Sequence, residues 1–335
     1  MRALLTLLLS CLPATSQEGA QEASRDAAAA PAIEAPSFLF LQQPAKGLPM
    51  MPAPDGYTPT APMFELGKRL FHDGILSHDR SVSCATCHPQ ATGFASAEPL
   101  PVGIRGQRAR RHAPAIWNRG YGTLQRWDGG SVSLEAFVLE PIADEREMGS
   151  SVAAALTRLN DDADYRQAFA ETFGGPADAE RLQRALATFV RGIVRGNAPY
   201  DRFLLGEIRA MSKEARAGQW VFESKGACWR CHTPPLFTDE QFHNTGVGVV
   251  DGVAEAGRAG RTGDAQDTGK WKTPTLRGVL YTAPYMHDGS LATLEDVVDF
   301  YARGGNANAH LDPHMQVREL SADDRRHLVA FLRSL

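Results

Sequence analysis

Residues 81–95 read SVSCATCHPQATGFA and set Cys84, Cys87 and His88 in the order C-x-x-C-H. The order returns once, as CWRCH, over Cys228, Cys231 and His232. Two thiols a helical turn apart can bond to the two vinyl groups of a single porphyrin. The histidine that follows then points its imidazole at the iron, which is the pattern of covalent c-type haem attachment. One copy would also suit a redox-active dithiol or half of a zinc site. Two copies, each with His directly after the second Cys, point instead to two covalently bound haem c groups.

The rest of the chain fits that reading. Of 5 cysteines, only Cys11 lies outside the motifs, so none remains for a structural disulfide. Cys11 falls in an N-terminus built like an export signal: Arg2, the apolar run ALLTLLLSCL, Pro13 and the small residues ATS. The run is far short of the ~20 apolar residues of a membrane span. Cleavage after Ser16 and a soluble periplasmic product are expected, with lipid attachment at Cys11 as the alternative. That compartment would permit disulfides, yet the cysteines are committed elsewhere. A length of 335 residues allows two ordinary domains, and 43% hydrophobic with 22% charged residues suits a globular core. A net charge of −4 makes no case for nucleic acid or an anionic membrane. Arg105, Arg108, Arg110, Arg111 and His112 cluster in RGQRARRH. They read either as a solvated loop or as partners for cofactor carboxylates or an acidic protein.

Residues 17–57 are rich in Ala, Pro, Glu and Gln and read as a linker or wrapped arm. Order is expected from PTAPMFELGKRLFHD, where Met63, Leu66, Leu70 and Phe71 fall at helical spacing. Further helical stretches are SLEAFVLEPI, SVAAALTRLN, DADYRQAFAETF, DAERLQRALATFVRGIV, SKEARAGQWVFES, TLEDVVDFYARGG and SADDRRHLVAFLRSL. Ser133, Asp178, Ser212, Thr293 and Ser321 stand where N-caps belong. Strand signals are few, so a mostly helical fold is expected. A faint repeat aligns Gly67, Leu70 and Phe71 with Gly218, Val221 and Phe222, each set just ahead of a cysteine motif. It suggests domains at 58–207 and 208–335.

The sixth ligand of each iron separates carriers from catalysts. An iron closed on both faces passes electrons, whereas an open face can bind peroxide or oxygen. His112, His243, His287, His310, His314, Met286 and Met315 are candidates, and spacing alone does not choose among them.

FELGKRLFHDGILSHDRSVSCATCHPQATGF, WDGGSVSLEAFVLEPIADEREMG and KTPTLRGVLYTAPYMHDGSLATLEDVVDFYARGG resemble the dihaem cytochrome c peroxidase and MauG superfamily. The resemblance runs from about residue 58 to the C-terminus. It implies an all-α fold of two cytochrome c-like domains, each with one covalent haem. The N-terminal haem would bind peroxide, and the six-coordinate C-terminal haem would store or relay an electron. Sixteen residues after His88, where the family's scavenging peroxidases carry a distal histidine, stands Ile104, which cannot ligate iron. His112 is a substitute ligand to weigh there. Fourteen residues after His287 stands Tyr301, where scavenging peroxidases have Met and MauG-like enzymes have Tyr. A phenolate favours oxidised iron, whereas a thioether raises the potential. Met286 is the alternative ligand.

The same resemblance gives Glu147 the part of distal acid–base group and Trp127 that of bridge between the haems. Asp144 and Glu145 read as exposed loop carboxylates. The family's distal glutamine position holds Phe137. Its inter-haem calcium would here rest on the Thr282 and Pro284 carbonyls, with His112 in place of an Asn ligand.

The resemblance therefore favours a MauG-like oxidase. Hydrogen peroxide, or dioxygen plus electrons, would raise the dihaem unit to a high-valent state that oxidises a Trp or Tyr of a periplasmic partner protein. A branch found beside methanobactin genes, whose members oxidise a tryptophan of a copper-binding partner, resembles the chain further through FHNTG at 242–246. Two alternatives stand: a peroxidase that reduces peroxide with electrons from a small cytochrome or cupredoxin, and a non-catalytic dihaem carrier.

Overall fold

The computed structural model describes residues 32–335. The expected signal at 1–16, with Cys11, and the first part of the expected linker lie outside the described residues. Among the described residues no helix is long and apolar enough to cross a membrane. The helical expectation holds. Helices α1 (Ala61–His72), α2 (Val152–Asp161), α3 (Ala163–Phe173) and α4 (Ala179–Arg191) belong to the first half. Helix α5 (Pro199–Leu204) ends that half, and α6 (Lys213–Glu223), α7 (Leu294–Ala302) and α8 (Ala322–Leu332) lie in the second. A two-residue antiparallel ladder pairs β1 (Phe242–His243) with β2 (Trp271–Lys272).

Local chemistry explains the boundaries. Asp178, Ser212, Thr293 and Ser321 each accept the N–H three residues on, opening α4, α6, α7 and α8. Ser133 does the same for a single turn at Leu134–Phe137. The stretch SLEAFVLEPI is therefore not one helix: Pro141 has no N–H for the Phe137 carbonyl, and a second turn restarts at Glu140–Ala143. In α1 the buried face is Phe64, Leu66, Gly67, Leu70 and Phe71. Met63, read as part of that stripe, is only half-buried.

The repeat in the sequence is a repeat in packing. α1 lies on α4 so closely that a Cβ on Gly67 would sit 2.0 Å from the Ala185 carbonyl oxygen. α6 lies on α8 in the same way, with 1.8 Å from Gly218 to the His327 oxygen. Four residues beyond each carbonyl stands a phenylalanine: Phe71 meets Phe189 at 5.0 Å, and Phe222 meets Phe331 at 5.1 Å. Glycine is required because only a missing side chain lets two helix backbones approach this far.

A second, longer repeat is carried by backbone conformation. Asn118 and Gly278 are both left-handed, with φ of 62° and 64°, and each opens a short 3-10 turn. Arg126 and Met286 also have positive φ, directly ahead of Trp127 and His287. The two paths clasp each other: His112 N–H donates to the His287 carbonyl and Lys272 N–H to the Trp127 carbonyl, both at 2.8 Å.

Further ties join the halves. Arg277 and Asp201, each 1% exposed, form a two-pronged ion pair at 2.8 and 2.9 Å. Arg277 also donates to the Pro235 and Gly47 carbonyls. Gly47 belongs to the segment ahead of α1, which buries Ala45, Leu48 and Met51 and accepts from Asn197 N–H through the Lys46 carbonyl.

Candidate functional site

Each cysteine motif sits on a tight turn that follows a helix. Ser83 caps the turn Cys84–Cys87, and His88 N–H closes it on the Cys84 carbonyl at 3.0 Å. In the second motif Ala227 is left-handed, and His232 N–H reaches the Cys228 carbonyl at 2.9 Å. Beyond each motif the chain turns through a phenylalanine with positive φ, Phe94 and Phe237. Their carbonyls meet the histidine rings, His88 Nδ1 at 2.9 Å and His232 Nδ1 at 3.0 Å. A carbonyl can only accept, so Nδ1 carries the proton and Nε2 keeps the lone pair that a metal takes. Burial pushes His88 down to about 4 and His232 down as well, so both stay neutral.

Three of the thiols are shifted away from activation. Burial raises Cys84 to about 12, Cys87 to about 11 and Cys228 to about 12. A dithiol catalyst needs a lowered thiol pKa, so the Cys84–Cys87 pair does not suit that role. Zinc fits no better. Among the described residues the cluster of potential metal ligands is Cys231, Asp239 and His243. His243 donates from Nε2 to Asp239 at 3.0 Å and from Nδ1 to Asp312 at 2.7 Å. The Asp239 hydrogen bond first, then Cys231 and Asp312, raise its pKa to about 11. An imidazolium with both nitrogens occupied offers no lone pair.

The second motif opens onto a cavity of about 230 Å³. Cys228, Cys231 and His232 line it together with Tyr301 of α7. Burial, then the two cysteines, hold the Tyr301 phenol above its ordinary range, and Thr245 partly offsets them. Trp127, His112, Thr282 and Pro284 line the same cavity. Of the other distal candidates, Met286, His287, His314 and Met315 also reach it, while His310 lines a neighbouring cleft.

Trp127 is fixed by its Nε1–H, which donates to the His112 carbonyl at 2.8 Å, and its ring stands edge-on to His287 at 6.4 Å. His287 stacks on Trp271 at 4.0 Å. The sequence marks His287 as one of the distal-ligand candidates and as the landmark for Tyr301, but shows neither this stack nor any role for Trp271, which lies one residue before the stretch that carries the resemblance.

Around the first motif, Ile104 is 1% exposed and its N–H donates to the Glu147 carbonyl at 2.9 Å. A Cβ on Gly149 would lie 2.9 Å from the Ile104 side chain. Phe137 packs in one apolar cluster with Cys84. Burial raises the Glu147 carboxyl and Asp144 adds to it, while Arg126 and Arg110 oppose. Its charge is felt at Cys84 and Cys87. Glu145 is exposed as expected, but Asp144 is not: its side chain is 14% exposed, ion-paired to Arg110 at 2.9 Å and bonded to Arg146 N–H. The arginine-rich loop finds its partners within the chain, Arg108 at the Leu100 carbonyl and Arg111 at Glu255.

Comparison with known proteins agrees with this geometry. A model of the di-haem cytochrome c peroxidase family matches residues 61–209. MauG, the methylamine utilization protein of Methylorubrum extorquens, is 38% identical over 85% of this chain and 81% of its own. A cytochrome-c peroxidase of Denitromonas iodatirespirans is 33% identical over 84% of this chain and 83% of its own. The crystal structure of a MauG-like protein associated with microbial copper homeostasis superposes with a TM-score of 0.81 at 32% identity, covering 87% of this chain and 93% of that one. Helical halves built on C-x-x-C-H turns and matched along most of their length by these enzymes place the chain in the di-haem cytochrome c peroxidase and MauG family, and it is a haem oxidoreductase.

Proposed function

We propose that this is an exported, periplasmic MauG-like oxidase with one covalent haem c at Cys84, Cys87 and His88 and another at Cys228, Cys231 and His232. When bound, the haems supply irons that react with hydrogen peroxide and hold the oxidising equivalents taken from it. The chain's residues do the rest. Ile104 would offer the first haem no ligating atom. Glu147, its carboxyl pKa raised by burial, would move a proton from the inner to the outer peroxide oxygen. Tyr301, which lines the same cavity as His232, would serve with it as a ligand to the second haem's iron. Trp127 links the two sites, and an aromatic side chain of a partner protein, a tryptophan by preference, is oxidised.

One observation supports the reading: Ile104, buried against the Glu147 carbonyl and Gly149, has no donor atom, and the resemblance puts a closed haem's distal ligand at that position. A scavenging peroxidase drawing on a small cytochrome or cupredoxin is the second reading, favoured by the peroxidase relatives. Calcium at the Thr282 and Pro284 carbonyls is assigned no step, because the His112 imidazole is a poor donor for a hard cation.

Electron paramagnetic resonance of the resting ferric protein tests the asymmetry. One high-spin and one low-spin signal are expected, and two low-spin signals would sink it. Stoichiometric peroxide, followed by mass spectrometry of a co-purified partner, separates the oxidase from the scavenger.

A further inference from the structure

Two buried donors in the wall of the second motif's cavity have no part in the proposed reaction. Trp271 is 8% exposed and lines the cavity, and its Nε1–H has no hydrogen-bond partner among the described residues. Lys272, 7% exposed, lines the same cavity, with Nζ 3.5 Å from Glu240. That carboxylate is already gripped by Arg119, at 2.7 and 3.2 Å. Two cations thus share one anion, which leaves a surplus positive charge where little water can screen it. A buried charge of this kind is costly unless an opposite charge joins it. Burial and Arg119 accordingly pull the Lys272 ammonium down to about 7, with Glu240 opposing. The backbone holds the pair rigidly: β2 is paired with β1, and Lys272 N–H is bonded to the Trp127 carbonyl.

A neutral N–H and an ammonium from adjacent residues, in the wall of a mostly apolar cavity that Cys228 and Cys231 also line, suit a carboxylate. We propose that Trp271 Nε1–H and Lys272 Nζ cradle a propionate of the porphyrin attached at Cys228 and Cys231, seating that haem and setting its potential. The inference rests on reading the second motif as a haem site. Both side chains are positioning residues, and Lys272 completes its charge balance through the propionate while Arg119 keeps Glu240.

The test uses the dihaem protein and its Lys272→Met, Lys272→Arg and Trp271→Phe variants, read by resonance Raman and by spectroelectrochemistry of each haem. Loss of a donor should move one propionate bending band to lower wavenumber in Lys272→Met and in Trp271→Phe. In Lys272→Met the second haem's potential should also fall, because an uncompensated carboxylate favours ferric iron. Lys272→Arg should keep it, and the first haem should not respond. Fully haem-loaded Lys272→Met and Trp271→Phe proteins with unchanged bands and potentials would overturn the cradle. If Lys272→Met does not assemble, Trp271→Phe alone decides through its band. A wild-type chain lacking haem mass on Cys228 and Cys231 would overturn the haem reading itself, and peptide mass spectrometry reads that separately.

Discussion

At the residue scale, environment decides what each candidate side chain can do. Glu147 and Asp144 are three residues apart, yet one is raised by burial while the other is tied to Arg110. Glu147→Gln should slow the reaction with peroxide by roughly 10²–10⁴-fold, the usual worth of a positioned acid–base group, measured by stopped-flow absorbance. The sign of the pH effect follows from the raised pKa. The group is lost as a base when pH falls through that value, so the acid limb of the rate profile should lie above the ordinary glutamate range and vanish in Glu147→Gln. Tyr301 shares its cavity with Cys228, Cys231 and His232. Tyr301→Met should change the low-spin absorption band of the second haem and raise its potential, and an untouched band would remove Tyr301 as ligand. Cys84, Cys87 and His88 were legible in the sequence because the proposed haem attachment would demand this fixed local spacing. Asp144 was misread because its burial depends on Arg110, thirty-four residues away.

At the element scale, the two halves are built around one contact, a glycine pressed on the carbonyl of a partner helix. Gly218→Ala would put a methyl carbon 1.8 Å from the His327 oxygen, so α6 and α8 must separate. Overpacking of this kind costs typically 1–3 kcal/mol, and urea denaturation should show the loss. Gly67→Ala should behave alike in the first half. This repeat could be read from the chain because Gly, an apolar residue and Phe recur at matching distances. The longer repeat leaves a fainter trace, with Asp128-Gly129 recurring as Asp288-Gly289 and Leu134-Glu135 as Leu294-Glu295. Asn118 matches Gly278 in backbone conformation, and Arg126 matches Met286 just ahead of Trp127 and His287, while the side chains at these positions differ.

On the scale of the whole molecule, the halves are joined by groups distant in sequence: the reciprocal clasp at Trp127 and His287, and the Arg277–Asp201 pair. Asp201→Ala would leave the Arg277 guanidinium buried without its counter-ion. A loss of about 3–5 kcal/mol is expected from denaturant unfolding, the cost of breaking a buried pair by removing one partner. If the loss stayed below about 1 kcal/mol, the value of an exposed pair, this contact would not be what holds the halves together.

By itself the sequence determined the two attachment turns, the helical class and most helix starts. Each of these depends on residues a few positions apart, whose spacing or capping chemistry is local. Only the tertiary structure decided what surrounds those turns. It stacks His287 on Trp271, puts an unpartnered indole N–H and a surplus lysine among the residues of one cavity's wall, and sets Ile104 against the Glu147 carbonyl. Burial and charge balance come from segments that meet across the fold, and a linear pattern does not encode which of them meet.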